Sequence, residues 1–247
     1  MKIASVVFAA IGWLYVCSAL LVLPAAVAQV PIERTDEIRE YDVIVKEKPV
    51  GKVSIQISQA SDGATMASTH TSVEATFLFI KYHYEFYGKE TWRGDQLVQI
   101  DSTTNDNGTP TRIQAVVDSQ ASRIDVQGKE SRHGPPLAMT ENYWRLPSAV
   151  AAAGNFSIIE PDTGIVRTVR LQQVGQDFVT VDGHEIACNH YRLTGDAKAE
   201  LWFDSQGRLV RQQTVEQGYL TEQRLVRIRT CPPASAGSPA SLAGYQN

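Results

Sequence analysis

Three kinds of residue in this chain are equipped for chemistry: scattered histidines and acids, two late cysteines, and a dense run of aromatics. His184, Cys188 and His190 share one parity, so an extended strand puts them on one face. His184 and Cys188 are then about 13 Å apart, too far to meet on one metal ion. Cys188 and His190 could supply two ligands, but copper or zinc needs another from elsewhere. The competing reading joins Cys188 to Cys231 in a disulfide, and the expectation is that disulfide and no metal. Glu90 and Asp101 fall on strands expected to be neighbours, so a carboxylate pair is conceivable, with surface acids the plainer reading. His70, His83 and His133 have no evident partner. There is no G-x-S-x-G elbow, H-E-x-x-H, phosphate-binding glycine loop or C-x-x-C. No catalytic residue and no cofactor are expected.

The most unusual segment is Phe77 to Tyr87, where six of eleven residues are aromatic. Leu78, Ile80, Tyr82, Tyr84 and Phe86 continue one apolar face, while Lys81, His83 and Glu85 make the other polar. From Phe77 to Ile80 both faces are apolar, which suits a strand covered on each side. One reading is a central strand between a helix and the rest of the sheet. The other is a cavity for an acyl or similar apolar ligand, with tyrosines at its mouth. On that reading the ligand-binding residues are Phe77, Phe79, Tyr82, Tyr84 and Phe86, joined by Tyr143 and Trp144. A separate set, Arg208, Arg211, Arg224, Arg227 and Arg229, falls on two late strands. It reads as a solvated face balanced by Glu216 and Glu222, or as a patch for lipid head groups or an envelope protein partner.

The elements that must position these residues are almost all strands. Tyr41, Val43 and Val45 alternate with polar positions, and after a turn at Lys48–Gly51 so do Val53, Ile55 and Ile57. Ser61-Asp62-Gly63 leads into a strand that continues from Val73 to Trp92. Asn105-Asp106-Asn107-Gly108 supplies residues that tolerate positive φ. As a calcium loop it fails, because position 12 would fall on Gln114 rather than a glutamate. Thr140 to Ala153 reads as the one helix, stopped by Gly154. Further strands follow from Phe156 to Arg229. About a dozen strands with one helix imply a mainly β fold, a large curled antiparallel sheet or incomplete barrel wrapped around that helix.

Lys2, the apolar run Ile3 to Leu23, Pro24 and Ala26-Val27-Ala28 read as a signal peptide over residues 1–28, cleaved after Ala28. An uncleaved anchor is the alternative, since the run is about 20 residues. Residues 29–231 then form a single β-rich domain, and the Pro/Ser/Gly-rich stretch 232–247 a disordered tail. A hydrophobic fraction of 43% with 20% charged residues excludes a disordered chain, and a net charge of −4 argues against nucleic acid. The expected compartment is the periplasm.

Several short segments together resemble an exported bacterial family of domains of unknown function, family 6134. They are Tyr41-Asp42-Val43 with Pro49-Val50-Gly51, Tyr84-Glu85-Phe86 with Glu90-Thr91-Trp92-Arg93-Gly94, and the stretch Asp101 to Gly108. Tyr143-Trp144, then Asn155 with Asp162-Thr163-Gly164, complete the set. The resemblance implies a β-rich envelope domain and brings no activity or catalytic residue with it. The expected architecture is similar to periplasmic lipoprotein carriers, which hold acyl chains in a concave sheet. The function expected is non-enzymatic binding or carriage of a lipid or other apolar molecule. The alternatives are an envelope hydrolase with a His/carboxylate site assembled by the fold, and a structural interaction module.

Overall fold

Period-two alternation becomes strand along nearly the whole described chain. The computed structural model describes residues 36–77, 80–151, 154–216 and 218–231. The expected signal peptide, its cleavage site, the tail from 232 and Phe79 lie outside the described residues. The first meander is β1 (Asp36–Val45), β2 (Lys48–Gln59), β3 (Thr65–Phe77), β4 (Ile80–Arg93), β5 (Gln96–Asp106), β6 (Thr109–Val117), β7 (Ser122–Val126) and β8 (Arg132–Gly134). Next come β9 (Leu137–Thr140) and one helical turn, α1 (Ser148–Ala151). The second meander is β10 (Asn155–Ile159), β11 (Val166–Val181), β12 (His184–Gly195), β13 (Ala199–Phe203), β14 (Leu209–Glu216) and β15 (Tyr219–Cys231).

All belong to one 15-stranded sheet, ordered β8-β7-β6-β5-β4-β3-β2-β1-β15-β14-β13-β12-β11-β10-β9. β1 and β15 pair in its middle, and only β9 and β10 run parallel. The two outermost strands, β8 and β9, are consecutive in the chain and joined by Pro135 and Pro136. Prolines lack the N–H a ladder needs, so the ring closes through the chain and through side chains instead. β9 touches β5, and the loop between β10 and β11 lies on the first meander. There Ser102 donates to the Pro161 carbonyl, Arg132 to the Gly164 carbonyl at 2.8 Å, and Tyr84 to Asp162 at 3.3 Å. The sheet is therefore curled, as expected, with its concave side filled by its own chain. One apolar cluster spans both meanders, including Tyr41, Ile55, Trp92, Leu193, Phe203 and Leu209. Each such side chain contributes about 1.5–3 kcal/mol by leaving water.

Four expectations need correcting. The helix over Thr140–Ala153 is only the turn α1, and Tyr143 and Trp144 sit in an irregular crossing segment before it. A short helix is marginal without packing, and here tertiary hydrogen bonds capture its backbone instead. Leu209 and Arg39 both donate to the Trp144 carbonyl, and the Leu146 amide donates to Gly207.

The strand expected from Val73 to Trp92 is two strands, because Phe77 pairs with Ile80 across a reversal. No glycine, asparagine or proline marks that turn, so sequence gave no warning. Phe77 and Ile80 are therefore hairpin ends rather than positions within one continuous strand.

The turn before β2 is at Lys46 and Glu47, both with positive φ, rather than at Lys48–Gly51. Gly51 answers a different need: a Cβ there would lie 2.4 Å from the Ser72 carbonyl oxygen on the next strand.

Finally, the structure shows no Cys188–Cys231 disulfide. Cys188 is a free, buried thiol on β12, two strands removed from β15 in the sheet order. Three interstrand spacings of about 4.8 Å exceed any disulfide's reach. Strands that follow one another in the chain here also lie in that order in the sheet, which keeps β13 and β14 between the two cysteine strands.

Candidate functional site

Glu90 is the most singular polar residue of the interior. It sits on the inner face of β4, two positions from Trp92, and is only 1% exposed. Its Oε1 accepts hydrogen bonds from Thr140 Oγ1 at 2.7 Å and Asn142 Nδ2 at 2.8 Å. Its Oε2 accepts from the indole N–H groups of Trp144 at 2.8 Å and Trp92 at 3.0 Å. The two indoles meet edge to face, with centroids 5.9 Å apart. Four donors saturate the carboxylate, which leaves it nothing to offer a substrate. Its role is to pin the crossing segment onto the sheet. Asp101 does not join it: Lys89 is the residue opposite Asp101, and Glu90 faces Ile100, so the two acids point to opposite faces.

Beside this cage the crossing segment reaches the end of the sheet where the β2–β3, β4–β5 and β13–β14 turns gather. An open hollow of about 580 Å³ lies there, lined by Arg39, Asp95, Trp144, Arg145, Leu146 and Arg208 among others. Arg39 donates to Glu37 and to the Trp144 carbonyl, both at 2.5 Å. Arg145 donates to Asp95 and to the Gly94 carbonyl, and its guanidinium lies 4.9 Å from the Trp92 ring centre and 5.5 Å from that of Trp144. Arg208 pairs with Asp204 at 2.7 Å. Ser148 donates to Asp95 through both hydroxyl and amide, which holds the Asp95 carboxyl below its ordinary pKa. Three guanidinium groups, each paired with an acid (Arg39 with Glu37, Arg145 with Asp95, Arg208 with Asp204), therefore converge at one mouth beside Trp144.

Most of the described aromatic residues proposed from sequence lie away from this hollow. Phe86 is buried, with its ring over Gly88, where a Cβ would come within 2.5 Å of it. Tyr82 and Tyr84 are half-buried on the same face, and the backbone alone of Phe77 is described. Burial raises the Asp162 pKa, opposed by the Tyr84 hydrogen bond. Thr104, opposite Phe86, and Thr69, opposite Gly88, have buried hydroxyls without a partner. Tyr143 is buried with a positive φ of 46°, a conformation rarely adopted by a bulky residue. Among the described side chains of the proposed set, only that of Trp144 belongs to a residue lining the hollow. Sequence reading missed Arg39, Asp95 and Arg145, because nothing local marks residues from separate turns as neighbours. Glu90 did carry a signal: an acid at inward parity, two positions from a tryptophan.

The histidines lie on the outer face. His70 stacks on Tyr87 with ring centres 4.5 Å apart, and Glu85 accepts from both, at 2.5 and 2.9 Å. The His70 hydrogen bond holds the Glu85 pKa below its ordinary value. A shallow outer hollow of about 460 Å³ adjoins this pair. His190 stacks on Trp202 at 4.2 Å, with Glu200 2.7 Å from one ring nitrogen and Asp177 3.3 Å from the other. Cys188 Sγ lies 3.5 Å from the Ile186 carbonyl, and burial pushes the thiol pKa up to about 11. Among the described residues, no three His, Cys, Asp or Glu side chains converge as a metal set. The late arginines are balanced locally: Arg211 and Arg224 by Glu222, Arg227 and Arg229 by Glu40.

A curled antiparallel sheet closed by its own chain defines a β-barrel-like domain. The crystal structure of a β-barrel-like protein of domain of unknown function DUF1849 from Brucella abortus has this fold, with a TM-score of 0.59 at 7% sequence identity. The match covers 81% of this chain and 98% of that one. The chain itself belongs to the family described as Domain of unknown function (DUF6134), which matches residues 41–226. No curated protein matches it.

Proposed function

We propose that this domain is an exported, non-enzymatic binding module of the periplasm, and that its site is the hollow lined by Arg39, Trp144, Arg145 and Arg208. The ligand is a small amphiphile, its anionic head against the guanidinium groups and its apolar part against Trp144 and Leu146. The observation carrying this reading is the convergence of three arginines on an open mouth of a size ordinary for small-molecule sites. It keeps the lipid-like ligand expected from sequence and moves it from the Phe77–Phe86 ribbon, none of whose described aromatic side chains line this hollow. Titration of tryptophan emission with monomeric dihexanoylphosphatidylglycerol tests it. Saturable binding is expected, weakened about tenfold or more by Arg208→Gln in protein that circular dichroism shows to be folded, although loss of the Asp204 pair lowers its melting temperature. Binding indifferent to Arg208→Gln, or absent in the wild type, sinks the reading.

A second reading, hydrolysis at the outer hollow, draws on the His70–Glu85 pair. No serine is hydrogen-bonded to a histidine among the described residues, so the binding reading is preferred.

A further inference from the structure

A sheet that closes without hydrogen bonds has free edges, and this one guards them unequally. β8 is three residues long, carries exposed Arg132 and His133, and runs into Pro135 and Pro136. Short length, charge and proline are the usual protections against strand pairing. β11 is different. β10 covers only Val166–Arg170, and β12 lies on the opposite side. From Leu171 to Val181, no described strand or backbone hydrogen bond occupies the remaining side. Over those residues the sequence holds one charge, Asp177, and no Lys, Arg or Pro. Its one irregularity is a bulge at Val174, and the edge carries Phe178, 72% exposed, with Val174 itself 39% exposed.

We propose that this edge pairs antiparallel with the same edge of a second copy of the chain, in a register centred on Gln176. Unpaired main-chain groups in a row call for another strand rather than a globular surface. A twofold axis at Gln176 sets Val174 opposite the partner's Phe178, an apolar cross-strand pair formed twice. It sets Asp177 opposite the partner's Gly175, so the single charge of the edge does not meet its own copy. The chain's own segment 232–247 is a poor occupant, since Pro232, Pro233 and Pro239 cannot serve a ladder. The ligand hollow plays no part in this pairing.

Sedimentation equilibrium of the exported chain gives the mass of two copies at about 100 µM, and Phe178→Lys weakens the dimer at least tenfold without moving the melting temperature. Directly opposed residues lie within disulfide reach, so Gln176→Cys cross-links two chains on mild oxidation whereas Gln172→Cys does not. A wild type that stays monomeric, a dimer insensitive to Phe178→Lys, or cross-linking through Gln172→Cys in place of Gln176→Cys overturns the proposal.

Discussion

Glu90 shows how one side chain can fix the path of a distant segment. Its cage draws two donors from the crossing segment through side chains (Asn142, Trp144), a third from Thr140 at the end of β9, and the last from Trp92 on its own strand. In Glu90→Gln one acceptor becomes an amide donor, and in either orientation at least one buried donor faces it unpaired. The substitution is expected to destabilise the fold by about 3 kcal/mol, read as a lower urea midpoint at unchanged slope. A loss below about 1 kcal/mol would mean that the crossing segment is held mainly by Arg39, Arg145 and Ser148. The strand parity of Glu90 and Trp92 was legible in the sequence. The fifty-odd residues separating them from Trp144 hid the rest.

At the scale of elements, the hairpins obeyed turn chemistry where it was strong and escaped notice where it was weak. Asn107-Gly108 and Asp182-Gly183 both take positive φ, as their residue types allow. Lys46 and Glu47 do so with φ of 51° and 64° and no such aptitude. Lys46 has some return on this strain, since its ammonium lies 4.1 Å from the centre of the Tyr219 ring. Glu47→Gly should therefore stabilise the protein by about 0.5–1 kcal/mol in chemical denaturation, by removing a left-handed side-chain clash. A loss of stability would show that the Glu47 side chain makes a contact outweighing the strain. The reversal between Phe77 and Ile80 was illegible for the same reason that this turn was misplaced: neither carries a residue that prefers to turn.

At the scale of the molecule, the two meanders are joined by β1 against β15 and bolted across it by Tyr41. The Tyr41 hydroxyl donates to the Leu209 carbonyl at 3.1 Å, and burial pushes its pKa up to about 12. In the unfolded chain the phenol ionises near its ordinary value of about 10. Below that pH both states hold the proton and the contribution is complete. Between about 10 and 12 the unfolded chain has lost the proton while the folded one retains it, so stability falls as pH rises, by up to roughly 2 kcal/mol. Tyr41→Phe should be less stable at neutral pH yet flatter over this alkaline range, and equal slopes for the two proteins would remove Tyr41 from the account. The reach of this bond spans β15, which no pattern in the sequence could disclose.

Alternation and turn residues determined that the chain is a mainly β protein with a large curled antiparallel sheet, since a period of two is a property of the strand itself. The family resemblance carried by Glu90, Trp92 and Trp144 was legible too, although what those residues do together was not. Only the tertiary structure decided that β13 and β14 lie between the strands of Cys188 and Cys231, that the supposed helix is a crossing segment, and that three arginines share a mouth. Each depends on which strands lie side by side and on which distant groups claim a backbone carbonyl. Such choices follow from the balance of packing across the whole sheet, to which no local stretch of sequence has access.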